Sequence, residues 1–162
     1  MATLTDPGLS ESFQELTSES SDVNWILWKV EGKNEIVPAA SGNGGLAELR
    51  GALDDASVMF GAFLIKGVDN RESTTSVRYK YINFSYKGPS ANGLMKARVS
   101  TWRDGVFQLM QGCAGTIDAD EPEDLSYEEV TGILLKAGGA HKPTHYDFGD
   151  GETRQVDGFH EG

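Results

Sequence analysis

Cysteine is nearly absent from this chain. Cys113 stands alone among 162 residues, which excludes an internal disulfide and suits a reducing compartment. Long apolar runs are missing too. None approaches the roughly 20 residues that a membrane span needs. Residues 1–13 lack the basic start and apolar centre of a secretory signal. Together these absences predict a cytosolic protein with no membrane span. Positive charge is scarce: 14 Lys and Arg stand against 25 Asp and Glu, for a net charge of −11 and a pI near 4.6. So acidic a chain does not suit general phosphate neutralisation, so nucleic acid is not an expected partner.

What is present is ordinary for a folded domain: 38% hydrophobic and 24% charged residues, in a length suited to one core. Asp6 and Pro7 form a helix start, followed by an apolar stripe of Leu9, Phe13 and Leu16. Val23 to Val30 is apolar at both strand parities, as is Val58 to Ile65, and strands of that kind are covered on both faces. Ile36 and Val37 suggest a short strand stopping at Pro38. Residues 41–45 read as a loop before a short helix carrying Leu46, Leu49 and Leu53. Residues 67–75 read as a polar connection, and Val77 to Tyr86 as a long strand. Met95, Val99, Trp102, Val106 and Leu109 give the stripe of one long third helix. Residues 113–117 suit a last strand. Ser126 and Glu129 then open a final helix that Gly138 and Gly139 stop. The fold class expected is α/β (α+β), with a mixed central sheet of about five strands between helix layers. Residues from about 140 onward carry no periodicity and read as a polar, flexible C-terminal tail.

The scarce positive charge is concentrated. Eight of the 14 bases lie between Lys66 and Arg103, with only Asp69 and Glu72 among them, so this stretch is +6 while the remainder is −17. A basic patch on an acidic body attracts an acidic partner while the body repels polyanions at large. Arg78 and Lys80 share one strand face. Lys96 and Arg103, seven apart, line up on one side of the expected helix, with Arg98 on the opposite flank of its stripe.

Catalytic and metal chemistry finds little support. His141 and His145, with Asp147 nearby and His160 beyond, have a spacing that needs a helix, and Pro143 opposes one. Cys113 has no nearby histidine and reads as a small buried residue. Asp147-Phe148-Gly149 repeats a kinase tripeptide without the other kinase signatures. Gly42, Gly44 and Gly45 lack the Lys-Ser/Thr of a phosphate loop. The acids from Asp118 to Glu129 lack the alternation and central glycine of a calcium loop. No enzyme activity, cofactor or metal is expected.

The order of elements, NWILWKVEGKNEIVP, YINFSYKGPSANGLMKARVSTWRDG and the closing LLKAGGA resemble the actin-depolymerising-factor homology (ADF-H) family, with coactosins the better match within it. The likeness runs from about Asp6 to Ala140. It implies an ADF-H domain over residues 1–140 with a tail over 141–162. It also implies actin as partner, filament preferred over monomer, without strong severing, and a cytoskeletal location. The family's basic residue entering the long strand falls on Arg78, where the family has lysine. Those at the helix start fall on Lys96 and Arg98, and a further one on Arg103. Ser76 stands where coactosins often place another base. With Lys80, these make the expected actin-binding set of a monomeric protein. Three other readings stay open: a cofilin-like monomer-binding or severing protein, a scaffold of the same fold that recognises another acidic protein or an anionic lipid headgroup, and an enzyme using His141, His145 and Asp147.

Overall fold

The computed structural model describes residues 3–70, 74–138 and 142–156. Helix α1 (Pro7–Thr17) begins as expected: Asp6 accepts the Gly8 N–H at 2.8 Å and proline opens the first turn. Strands β1 (Trp25–Glu31) and β2 (Glu35–Gly42) form an antiparallel hairpin. Helix α2 (Gly45–Ala52) leads into β3 (Val58–Asp69) and β4 (Ser76–Lys87), which pair along their whole lengths. Helices α3 (Gly93–Ala97) and α4 (Val99–Gln108) follow, then β5 (Gly115–Ala119), a 3-10 turn at Pro122–Asp124, and α5 (Tyr127–Gly138).

The sheet order is β2-β1-β3-β4-β5, with β4 and β5 parallel. This is the mixed sheet expected. Residues Val58 to Ile65 of β3 are all buried. Val58, Phe60, Ala62 and Leu64 pack with Leu9 and Leu16 of α1 and Val99, Trp102 and Val106 of α4. Met59, Phe63 and Ile65 pack on the other side with Leu46 and Leu49 of α2 and Val130 and Leu134 of α5. Gly61 has no room for a side chain. A Cβ there would lie 2.5 Å from the Ile26 carbonyl oxygen and 2.7 Å from the Phe84 ring.

All three tryptophans are buried. Trp25 lies in the α2/α5 layer and its Nε1 donates to Glu48 at 2.8 Å. Trp28 and Trp102 lie in the α1/α4 layer, and Trp28 Nε1 donates to Ser12 Oγ at 2.8 Å. The indole N–H groups of Trp25 and Trp28 thus find their partners on helices α2 and α1.

Four expectations need correction. β2 continues through Pro38 to Gly42, because β2 is an edge strand of the main sheet, where a missing N–H costs no ladder bond. The expected polar connection over residues 67–75 starts later than expected, since β3 runs on through Gly67 and Val68 to Asp69, which meets Ser76. The long helix is two segments. At Arg98 the chain tightens, its N–H reaching the Met95 carbonyl at 3.1 Å, and its own carbonyl starts α4 by accepting from Trp102 at 3.2 Å. The apolar stripe passes through this break, so periodicity does not reveal it.

The fourth correction concerns the tail. Residues 142–156 are folded onto the domain, so the folded unit does not stop at Ala140. Strand β6 (His145–Asp147) pairs antiparallel with β3 at Lys66 to Val68, and β7 (Thr153–Gln155) pairs with β6. Tyr146, Phe148 and Val156 are 2%, 0% and 4% exposed and join the α2/α5 core. Asp150 holds the turn in place. It accepts from the Ala47 N–H at 2.9 Å and the Tyr127 hydroxyl at 2.8 Å, and burial together with the latter bond pushes the Tyr127 phenol up to about 12. The Tyr127 ring is itself bracketed by Arg50 and Arg154, at 4.8 and 4.9 Å from its centroid.

We predict that this hairpin is required for full stability. Phe148→Ala should cost about 3–5 kcal/mol, as for other buried phenylalanines. Removing residues 141–162 should lower the melting temperature by ~10 °C or more, since three buried side chains at about 1.5–3 kcal/mol each are lost and ~1 kcal/mol moves a domain of this size by ~2–4 °C. Equal melts for the full chain and residues 1–140 would show that the hairpin adds nothing.

Candidate functional site

The candidate cations of the strand and of the helices occupy two sides of the sheet. Arg78 and Lys80 lie at the far end of the β3–β4 hairpin, on the sheet face that carries α5. With Gly67, Asp69 and Ser76 they line an open groove of ≈ 130 Å³, closed on its other side by Leu134, Ala137 and Gly138 of α5 and by Pro143 and Tyr146. Arg78 is exposed and Lys80 half-buried. Gly67 forms the floor opposite Arg78 and leaves about 3.5 Å between a notional Cβ and Pro143 and Tyr146. Lys142 Nζ donates to the Leu135 carbonyl at 2.9 Å, placing a cation at the last turn of α5, where the helix dipole favours it.

Lys96 and Arg98 lie on the opposite side of the sheet, around the break between α3 and α4. Asn92 caps α3, its side chain accepting from the Leu94 N–H at 2.8 Å. This turn displays Leu94, 60% exposed, beside the half-buried Lys96 and the exposed Arg98. Lys96 Nζ donates to the Pro89 carbonyl at 3.2 Å. A carbonyl partner leaves its charge uncompensated.

Arg103 is different. Its Nε and Nη2 donate to Asp118 at 2.9 and 3.1 Å, and its guanidinium sits 5.2 Å from the Phe107 ring centroid. Asp118 also accepts from Ser85 Oγ at 2.9 Å. The Arg103 hydrogen bonds hold the Asp118 carboxyl below its ordinary range, and the same bonds raise Arg103 further. Arg103 therefore fastens α4 to β5. Lys87 is likewise matched, with Asp120 at 3.5 Å. Two of the eight bases in the +6 segment are thus partly spent inside the fold.

The residues considered for chemistry have structural duties. Burial pushes the Cys113 thiol up to about 11, and its Sγ donates to the Met110 carbonyl at 3.4 Å. Such a thiol carries little thiolate at neutral pH. His145 belongs to β6, and His141 and His160 lie outside the described residues. Asp147-Phe148-Gly149 is the hairpin turn: Gly149, at φ 79, donates its N–H to Asp147 at 2.9 Å while Phe148 enters the core.

Comparison with known proteins decides the family. The profile of the cofilin/tropomyosin-type actin-binding proteins matches residues 1–134. The chain belongs to that family. It is thus an ADF-H protein of a non-enzymatic, actin-binding family. Coactosin of Dictyostelium discoideum is 32% identical over 142 residues, spanning 86% of this chain and 94% of that protein. Crystal structures of human coactosin-like protein superpose with a TM-score of 0.72 at 19% identity, covering 84% of this chain and 99% of theirs. The solution structure of mouse coactosin, described as an actin filament binding protein, gives 0.66 at 21% identity, covering 85% and 93%. The family match ends at residue 134, before the β6–β7 hairpin begins. Among the described residues, no helix is long and apolar enough to cross a membrane.

Sequence reasoning missed the second wall of the groove. Pro143 and Tyr146 fall within the expected tail, although Tyr146 and Phe148 alternate around Asp147 ahead of an Asp150-Gly151 turn, which is a hairpin signal.

The Arg103–Asp118 bond yields a test. Arg103→Ala and Asp118→Asn should each destabilise modestly, and a double-mutant cycle should show about 0.5–1 kcal/mol of coupling, the range for a well-formed surface pair. Because the folded-state pKa of Asp118 is lowered, the coupling is fully present above its unfolded pKa and is lost as pH falls through the folded one. Thermal melts of the four proteins at neutral and strongly acid pH measure this. A coupling that persists unchanged in acid contradicts it.

Proposed function

We propose that this protein binds actin filaments in preference to monomers, without strong severing, through Arg78 and Lys80 beside the groove and Lys96 and Arg98 at the helix break. The observation carrying this reading is the family membership joined to cations that the fold leaves for a partner: among the described residues, Arg78, Lys80 and Arg98 have no salt bridge. Arg103 acts in this scheme as a positioning residue, since its Asp118 pair anchors α4, which follows directly on the turn that carries Lys96 and Arg98. The description of mouse coactosin as filament-binding supports the preference for filaments, and the acidic body of this chain supports a soluble monomer at the cytoskeleton. Arg78 keeps the charge of the lysine that the resemblance places there and adds a planar fork suited to carboxylates.

High-speed cosedimentation with filamentous actin tests the proposal. Binding should be direct and should weaken with salt, as the Debye length falls from about 10 Å at 0.1 M to about 3 Å at 1 M. Arg78→Ala should raise Kd about tenfold, or ~1.4 kcal/mol, with an unchanged melt because Arg78 is exposed. Protein left in the supernatant at low salt defeats the proposal. Equal affinity for monomers, or shortened filaments, assigns the cofilin-like alternative instead.

A further inference from the structure

The β3–β4 hairpin projects beyond the rest of the sheet, and its two edges are treated differently. On the β3 side the chain covers itself. Leu64 N–H donates to the Asn24 carbonyl at 2.9 Å, and Thr144 N–H donates to the Val68 carbonyl at 2.7 Å, so even-numbered residues of β3 turn their amides toward β1 and then β6. The odd-numbered Ile65 and Gly67 must therefore bond across to their register partners Lys80 and Arg78. It follows that Val77 and Tyr79 point both their N–H and C=O groups away from β3. The Tyr81 carbonyl confirms the phase, since it faces outward and accepts from the Ala114 N–H at 2.7 Å. Pairing with β5 starts only at Ile82. Among the described residues, no hydrogen bond reaches the outward groups of Val77 or Tyr79.

This open edge has two chemically distinct faces. Arg78 and Lys80 project on the α5 side, next to the groove. Val77, 47% exposed, and the half-buried Tyr79 project on the α1/α4 side. A strand added at this edge would place alternate side chains beside the two cations and the others beside Val77 and Tyr79. We propose that the β4 edge at Val77–Tyr79 is a docking site for an extended segment of a partner protein in which acidic and apolar residues alternate, bound by strand addition. Charge complementarity selects this occupant. A second copy of the chain is disfavoured, because juxtaposing the two edges would bring Arg78 and Lys80 against their own likeness and join two bodies of net charge −11. The proposal needs no actin and stands or falls apart from filament binding.

The probe is a capped eight-residue peptide of alternating Glu and Val, titrated into the full isotope-labelled chain and followed by amide NMR shifts and hydrogen exchange. Saturable binding is expected, with shifts centred on residues 77–81 and slowed exchange at the Val77 and Tyr79 amides. A peptide of the same composition in two blocks, four Glu then four Val, should bind at least tenfold more weakly. Val77→Pro removes one outward amide while leaving the β3 ladder and both cations, and should weaken binding at least tenfold. A fully N-methylated peptide makes the same test without touching the protein's own folding, and should not bind. Binding of the alternating and block peptides with equal affinity, survival of binding after N-methylation, or absence of saturable binding overturns the proposal. So does a peptide-free dimer that Val77→Pro abolishes, which would give the edge to a second copy.

Discussion

A strand that is apolar on both faces can persist only between two layers that exclude water, and β3 sets that condition for the whole molecule. Eight successive buried residues put one set of side chains toward α1 and α4 and the other toward α2 and α5. Burying each of its larger side chains is worth about 1.5–3 kcal/mol, so β3 organises much of the hydrophobic stabilisation. Gly61 shows how tight the arrangement is, since neighbouring backbone and the Phe84 ring fill the space of its absent side chain. The last part of β3 outruns β1, and the β6–β7 hairpin supplies the missing neighbour on that side. The hairpin is therefore the completion of the β3 environment.

The same two-layer rule divides the positive charge. Strand parity sends Arg78 and Lys80 to the α5 face, because Ile82, Phe84 and Tyr86 of the same parity belong to that core. Helices α3 and α4 cover the other layer, so Lys96 and Arg98 arrive on the opposite side. Charge counting along the chain cannot register this division. Nor can it register compensation from afar: Asp118 lies 15 residues from Arg103 in sequence and directly beneath it in space. A net charge of +6 in sequence becomes two small cationic displays in three dimensions. An acidic partner that engages both must reach around the sheet's end or present two surfaces.

Much of this was legible from residue pattern. Two-parity apolarity at Val58 to Ile65 specified a doubly covered strand, and Asp6-Pro7 and Ser126 specified helix starts that the hydrogen bonds bear out. The family likeness was visible in ordered motifs and is matched over residues 1–134. What escaped shares one physical cause. The break at Arg98 keeps the apolar phase of the helix, Pro38 sits where edge geometry removes its usual penalty, and the 145–156 hairpin buries only Tyr146, Phe148 and Val156. Each depends on what lies across the fold, and a local window holds no record of that. The bond between Arg103 and Asp118 belongs to the same group, its two partners lying on different elements.

The burial of all three tryptophans has a spectroscopic meaning. Trp25 reports on one side of the sheet and Trp28 and Trp102 on the other, so intrinsic emission samples both cores at once. Loss of either layer alone would change part of the signal and split the transition, which makes fluorescence a direct gauge of whether the two layers melt together. None of the three indoles lines the groove or the β4 edge. Their emission is correspondingly blind to ligands at those surfaces, and an extrinsic dye or a nuclear probe is the natural reporter there.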